Sequence, residues 1–214
     1  MIQTAGIARF LGTNCDEDVR KWLELKGYQT KYLWFEDQFN IDDFDAIVIP
    51  GGFSHGDYLR CGALAARTPV MKSVRDFASK GKPVLGICNG FQILCEAELL
   101  PGVLIQNKNL RFIDQWHSLK VENSDNPFSK NLKPQQKLKL PIAHGDGNYY
   151  ADSETLKRLQ DQKQIWLSYF ENPNGSQFDI AGITSVKHNI CGLMPHPERA
   201  LFEWMGSSDG EFFL

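Results

Sequence analysis

Cys88 stands in Gly86-Ile-Cys88-Asn-Gly90, where the apolar run Val84–Ile87 gives way to Phe91-Gln-Ile-Leu94. A strand that turns sharply into a helix through Gly-x-Cys-x-Gly is a nucleophile elbow, with cysteine where many hydrolases carry serine. The residue on so tight a turn is held in strained backbone, and its flanking glycines are needed because a Cβ there would strike the adjacent strand and helix. The turn sets the sulfur at a helix N-terminus, where unpaired N–H groups and the positive dipole end favour thiolate over thiol. The chemistry expected is attack of that sulfur on an acyl carbon.

A thiolate that cleaves an amide needs a proton donor for the leaving nitrogen. His196, in Gly192-Leu-Met-Pro-His-Pro-Glu-Arg199, is the candidate. Pro195 and Pro197 restrict the backbone on both sides of it, which suits a ring that must keep one orientation. Glu198 can reach the second ring nitrogen and set the tautomer, completing a Cys-His-Glu relay. His55, His117, His144 and His188 compete, and none has a carboxylate at so restrained a spacing, although His144 lies two residues before Asp146.

The third element is the loop Pro50-Gly-Gly-Phe-Ser-His-Gly-Asp-Tyr-Leu-Arg60, directly after the apolar run Ala46–Ile49. Loops at the carboxyl edge of a parallel sheet are where α/β proteins place ligands. Gly51 and Gly52 let a backbone N–H approach a developing oxyanion, and the N–H of Asn89 is the second donor. The loop has no Gly-Lys-Ser/Thr ending, which rules out a Walker-type phosphate site.

These groups must be positioned by a scaffold. Short β-branched runs bounded by Gly and Pro, Ala5–Phe10, Thr30–Trp34, Ala46–Pro50 and Pro83–Cys88, read as buried parallel strands. Between them the spacing predicts helices over Asp16–Lys26, with Val19, Trp22, Leu23 and Lys26 on one face and Gly27 as the stop, and over Val70–Ser79. That alternation calls for βαβ units with right-handed crossovers. Beyond Pro101 the pieces are shorter and read as more antiparallel: Ser118–Glu122, Lys137–Ile142, Ile165–Tyr169, Ala181–Val186 and Cys191–Met194. Helices are expected over Ser153–Leu159 and from near Glu198 through Ala200–Met205. With no repeat, low-complexity tract or linker, residues 1–214 read as a single α/β domain.

The formal net charge of −3 and pI near 6.0 offer no overall attraction to nucleic acid or an anionic membrane surface. Five cysteines without a CxxC pair fit a reducing cytoplasm and suggest no metal site. Four of them read as small buried residues, Cys15 less clearly so because it follows a Gly-rich strand end. The first residues lack a basic stretch followed by a long apolar one, so a soluble, unprocessed chain is expected.

Taken together, Gly-x-Cys-x-Gly-x-Gln and the downstream Pro-His-Pro-Glu resemble the class I, triad-type glutamine amidotransferases. Gly12-Thr-Asn-Cys-Asp16, Pro50–Arg60, Gly86–Gln92, His144-Gly-Asp-Gly147 and Met194–Arg199 extend the likeness, in order, over almost the whole chain. The resemblance implies a flavodoxin-like three-layer sandwich with a mostly parallel central sheet and an antiparallel portion in the C-terminal half. It implies that Cys88, His196 and Glu198 form the triad, that Gly52 or Phe53 together with Asn89 supply the oxyanion donors, and that Gln92, His144 and Gly145 hold L-glutamine. By the same likeness the ammonia goes to a large ATP-dependent synthetase subunit, which uses ATP and Mg²⁺ to make formylglycinamidine ribonucleotide from formylglycinamide ribonucleotide in purine synthesis. A small accessory subunit joins that complex, and this chain itself carries no cofactor. Many relatives have Ser at position 13, Tyr at 55 and Glu at 146, where this chain has Thr13, His55 and Asp146. The rivals are a glutaminase serving another acceptor and a ThiJ/PfpI-type cysteine hydrolase; the latter carries His directly after the nucleophile, where this chain has Asn89.

Overall fold

The computed structural model describes residues 3–214, so the expectation about the first residues begins at positions 1 and 2, outside the described ones. The first half alternates as expected: β1 (Thr4–Arg9), α1 (Asp16–Leu25), β2 (Gln29–Trp34), β3 (Ala46–Ile49), α2 (Pro69–Ser79), β4 (Val84–Ile87) and α3 (Asn89–Glu96). The second half contains β5 (Val103–Ile105), β6 (Ile113–Val121), β7 (Lys137–His144), β8 (Asn148–Tyr150), α4 (Ser153–Asp161), β9 (Ile165–Tyr169), β10 (Ile180–Thr184) and β11 (Ile190–Leu193).

One nine-stranded sheet joins both halves, in the order β2-β1-β3-β4-β11-β10-β9-β6-β7. From β2 to β11 neighbouring strands run parallel; from β11 to β7 they run antiparallel. Every residue of β3, β4 and β11 is buried, the signature of strands covered on both faces. Strand β1 lies between β2 and β3, so the chain leaves it in one direction first and in the other next. A crevice opens at such a reversal, beyond the carboxyl ends of the strands.

The α1 helix buries Val19, Trp22 and Leu23, as their spacing predicts, and ends where Gly27 takes a φ of 85°. Lys26, placed on that face from the sequence, instead extends from its C-terminus toward the Glu211 carbonyl. Asp152 caps α4, its side chain accepting from the Thr155 N–H. The helix expected through Ala200–Met205 does not form. Only short 3₁₀ turns at Pro197–Arg199 and Glu203–Met205 occur there. Ala200, with φ −134° and ψ 56°, leaves helical geometry, and its carbonyl accepts from Gly210 instead. The separate two-stranded β5–β8 sheet was not legible because each strand is three residues long, below what alternation can register.

The elbow glycines are steric requirements. A Cβ on Gly90 would sit 1.9 Å from the Ile49 carbonyl oxygen, and one on Gly86 would sit 2.6 Å from the Gly90 carbonyl. Gly90→Ala is therefore expected to cost about 3 kcal/mol or more. Gly81→Ala meets nothing within 4 Å but has a φ of 78°, so it should cost only about 1–2 kcal/mol. Urea unfolding of both variants checks the order; equal midpoints would show that the elbow tolerates a methyl.

Candidate active site

Three adjacent parallel strands deliver the three elements of the site from their carboxyl ends. Gly51 and Gly52 follow β3, Cys88 follows β4, and His196 follows β11. Cys88 has φ 52° and ψ −107°, a conformation that costs a side-chain-bearing residue about 1–3 kcal/mol. Its own N–H is fixed to the Leu193 carbonyl at 2.7 Å, so β11 positions this cysteine as well as the histidine.

His196 and Glu198 are 1 % and 2 % exposed, and Nδ1 lies 2.6 Å from Oε1 of Glu198. That pairing leaves Nε2 as the ring nitrogen not held by the carboxylate. It has no hydrogen-bond partner of normal geometry among the described residues, while Cys88 and Cys15 both lie against the ring. Burial alone would depress the imidazole pKa, but the Glu198 carboxylate and the Cys88 sulfur outweigh it and hold the ring well above the usual histidine range.

Asn89 and Gln92 brace the site. The Asn89 carboxamide accepts from the Ser54 N–H at 3.1 Å and donates to Gln92 Oε1 at 2.8 Å, and Gln92 Nε2 donates to the Asp146 carbonyl at 2.6 Å. Gln92, expected to hold substrate, thus ties α3 to the segment after β7. The Asn89 N–H, at the open start of α3, makes no hydrogen bond among the described residues, nor does that of Gly52. Phe53 departs from expectation: its N–H already donates to the Gly12 carbonyl at 3.0 Å, because Thr13 and Gly52 form an antiparallel bridge. Of these two loop N–H groups, that of Gly52 is the unengaged one among the described residues. With φ 146° and a would-be Cβ 2.8 Å from the Asn14 nitrogen, this glycine admits no side chain.

Cys88, Gly52, Phe53, Gln92, His144 and Gly145 line one pocket of about 400 Å³. The Cys88 sulfur points to the Ala143 carbonyl at 3.6 Å, and His144 does not pair with Asp146; its Nδ1 meets Asn107 Oδ1 at 3.1 Å. The sequence did not single out Arg199 or Asp18. Arg199 Nη2 donates to Cys15 Sγ at 3.1 Å, while Nε is held by Asp18, also at 3.1 Å. Cys15 is thus no ordinary core cysteine. Its sulfur, a His196 nitrogen and a Glu198 oxygen lie within 4.8 Å of one another, close enough to chelate a soft cation, although Nδ1 is already engaged by Glu198. The strand end and the Asn-Cys-Asp sequence were the available signal.

The matching family model, described as a CobB/CobQ-like glutamine amidotransferase domain, covers residues 3–211. Two curated relatives carry the name phosphoribosylformylglycinamidine synthase subunit PurQ. The one from Helicobacter hepaticus is 51 % identical over 99 % of this chain and 95 % of its own length. The one from Prochlorococcus marinus is 53 % identical over 99 % and 96 %. A chain in the solved structure of PurLQS from Thermotoga maritima superposes with a TM-score of 0.90 at 42 % identity, covering 99 % of this chain and 95 % of that one. A glutamine amidotransferase from Thermotoga maritima, at 20 % identity and a TM-score of 0.60 over 94 % of this chain and 78 % of that one, shares the fold.

Because Glu198 raises the His196 pKa, the stabilisation it gives is complete below the unfolded value of ~6.5 and is lost as pH rises through the folded one. Glu198→Gln should therefore cost roughly 3 kcal/mol at pH 6, with a smaller deficit at higher pH. Denaturant titrations across that range measure it, and a deficit independent of pH would show that the pair carries no charge.

Proposed function

The chain belongs to the CobB/CobQ-like glutamine amidotransferases, and we propose that Cys88, His196 and Glu198 are its catalytic residues, with Gly52 and Asn89 as oxyanion donors. It hydrolyses glutamine to glutamate and ammonia and supplies the ammonia to the synthetase that converts formylglycinamide ribonucleotide to formylglycinamidine ribonucleotide in purine biosynthesis. The observation that carries the residue assignment is the convergence, from the neighbouring ends of β4 and β11, of a strained cysteine and a histidine whose far nitrogen is held by a buried carboxylate.

The Cys88 thiolate attacks the side-chain carboxamide carbon of glutamine. The oxygen that becomes negative is met by the N–H groups of Gly52 and Asn89, both unengaged among the described residues. His196, protonated because Glu198 stabilises the imidazolium, gives its Nε2 proton to the departing nitrogen, and ammonia leaves. A γ-glutamyl thioester remains on Cys88. Neutral Nε2 then removes a proton from water, which attacks the thioester carbon; glutamate departs and the Cys88 thiolate is restored.

Residues 1–214 act as one amidotransferase domain in this reading, with Gln92, His144 and Gly145 shaping the glutamine pocket. The chain works in complex with a synthetase subunit. ATP and Mg²⁺ belong to that partner, and a small accessory subunit completes the assembly. Phe53, whose N–H is tied to Gly12, becomes a donor only if the loop turns. Synthetase docking that turns it would join glutamine cleavage to acceptor readiness. No described helix is long and apolar enough to cross a membrane, and the cytoplasm, where purine precursors are made, is the compartment that fits.

Cys88→Ala removes the covalent route. In the reconstituted complex it should abolish glutamine-dependent amidine formation while ammonia-dependent formation by the synthetase persists. Glutamine-dependent turnover surviving in that variant would refute the assignment.

A further inference from the structure

The glutamine pocket is bordered by two acceptor atoms that have no partner among the described residues. Asp57 and Asp146, from the two His-Gly-Asp segments, both border it with Cys61 between them. The Cys61 thiol donates to Asp146 Oδ2 at 3.1 Å. Asp57 Oδ1 is shielded from solvent and has no partner among the described residues. His144, 3 % exposed and bordering the same pocket, contributes a second bare acceptor. Its Nδ1 faces Asn107 Oδ1, an oxygen because the other amide atom donates to the Arg111 and His144 carbonyls, so Nδ1 carries the proton and Nε2 is the unpartnered nitrogen. The ring is neutral at pH 7, its pKa lowered to about 4 by burial, with the nearby His196 adding to the effect.

Among the described residues no free cation answers these acceptors. The guanidinium on the pocket lining, Arg60, is committed to Glu96 through two bonds of 2.8 and 2.6 Å. Burial and the neighbouring Asp146 both raise the Asp57 pKa, the strain expected of carboxylates that lack a counter-charge. A metal ion is the wrong answer to that deficit: among the described residues Asp57, Cys61 and Asp146 do not form a convergent ligand group, whereas Cys15, His196 and Glu198 do. A cation with several N–H donors is the right one.

We propose that Asp57 and Asp146 form the subsite for the α-ammonium group of the substrate amino acid, so that the glutamine side chain is directed from that anchor to Cys88. The inference rests on the glutaminase reading and gives the two His-Gly-Asp segments a role in selecting an α-amino acid over other primary amides. Cys61 is a positioning residue that spaces the two carboxylates.

The test compares glutamine with glutaric acid monoamide, the same chain without the α-ammonium group, as substrates of the assembled synthetase complex. The wild type should favour glutamine in kcat/KM by roughly 10²-fold, the cost of leaving two half-buried carboxylates without a counter-charge. Asp57→Asn and Asp146→Asn should raise KM for glutamine more than they lower kcat, with a much smaller effect on the monoamide, so that the preference collapses. Three results overturn the subsite: a wild type that treats both amides alike, Asn variants that keep the preference, or variants that lose both activities in equal proportion. Each leaves the glutaminase reading standing as long as Cys88→Ala is inactive on glutamine. Glutamine cleavage that survives Cys88→Ala removes the reading itself.

Discussion

The structure turns on a cysteine held in a backbone conformation that its own side chain disfavours. Cys88 can keep φ 52° only because the groups around it leave no alternative: its N–H is fixed to β11, Gly86 lets α3 close onto β4, and Gly90 lets the same helix touch the Ile49 carbonyl. The strain sits where a sulfur must project from the end of a buried strand into a pocket. Three of the strands that pay for it are wholly buried, which is where packing energy is greatest.

The same strands solve the electrostatic problem. A buried carboxylate beside a buried imidazole is costly to desolvate, and it is retained because it fixes one tautomer and raises the ring's basicity, properties a surface pair in water would not supply. Cys15 and Arg199 close the other side of the ring, and Asp18 anchors the arginine from α1. The histidine is therefore held by its own segment and by residues 15–18, far apart in sequence. The order β3, β4, β11 makes that possible, since a strand from the end of the chain is inserted beside two from its beginning.

Much of this was legible in the residues. The elbow, the restrained histidine and its carboxylate lie within short sequence windows, and the physics that gives them meaning, turn sterics and ring-to-carboxylate reach, is local. The buried parallel strands were legible for the same reason. What was not legible depends on distant pairing. Strand β6 begins at Ile113 rather than Ser118, because Asp114 and Gln115 are carried as an exposed extension paired only with β7. The apolar spacing of Ala200–Met205 resembles a helix, but the backbone contact with Gly210 overrides it. Asp57 and Asp146 look like loop polarity until β7 brings them to one wall of a pocket, and the engagement of the Phe53 N–H follows from a bridge to Thr13 that spacing does not reveal.

The most direct measurement treats the assembled complex with a glutamine-mimicking diazo ketone and maps the adduct by mass spectrometry. A single modification on Cys88, blocked by excess glutamine and absent after His196→Ala, is the expected result. Modification confined to Cys15 or Cys61, or none in a complex that still cleaves glutamine, would place the nucleophile elsewhere.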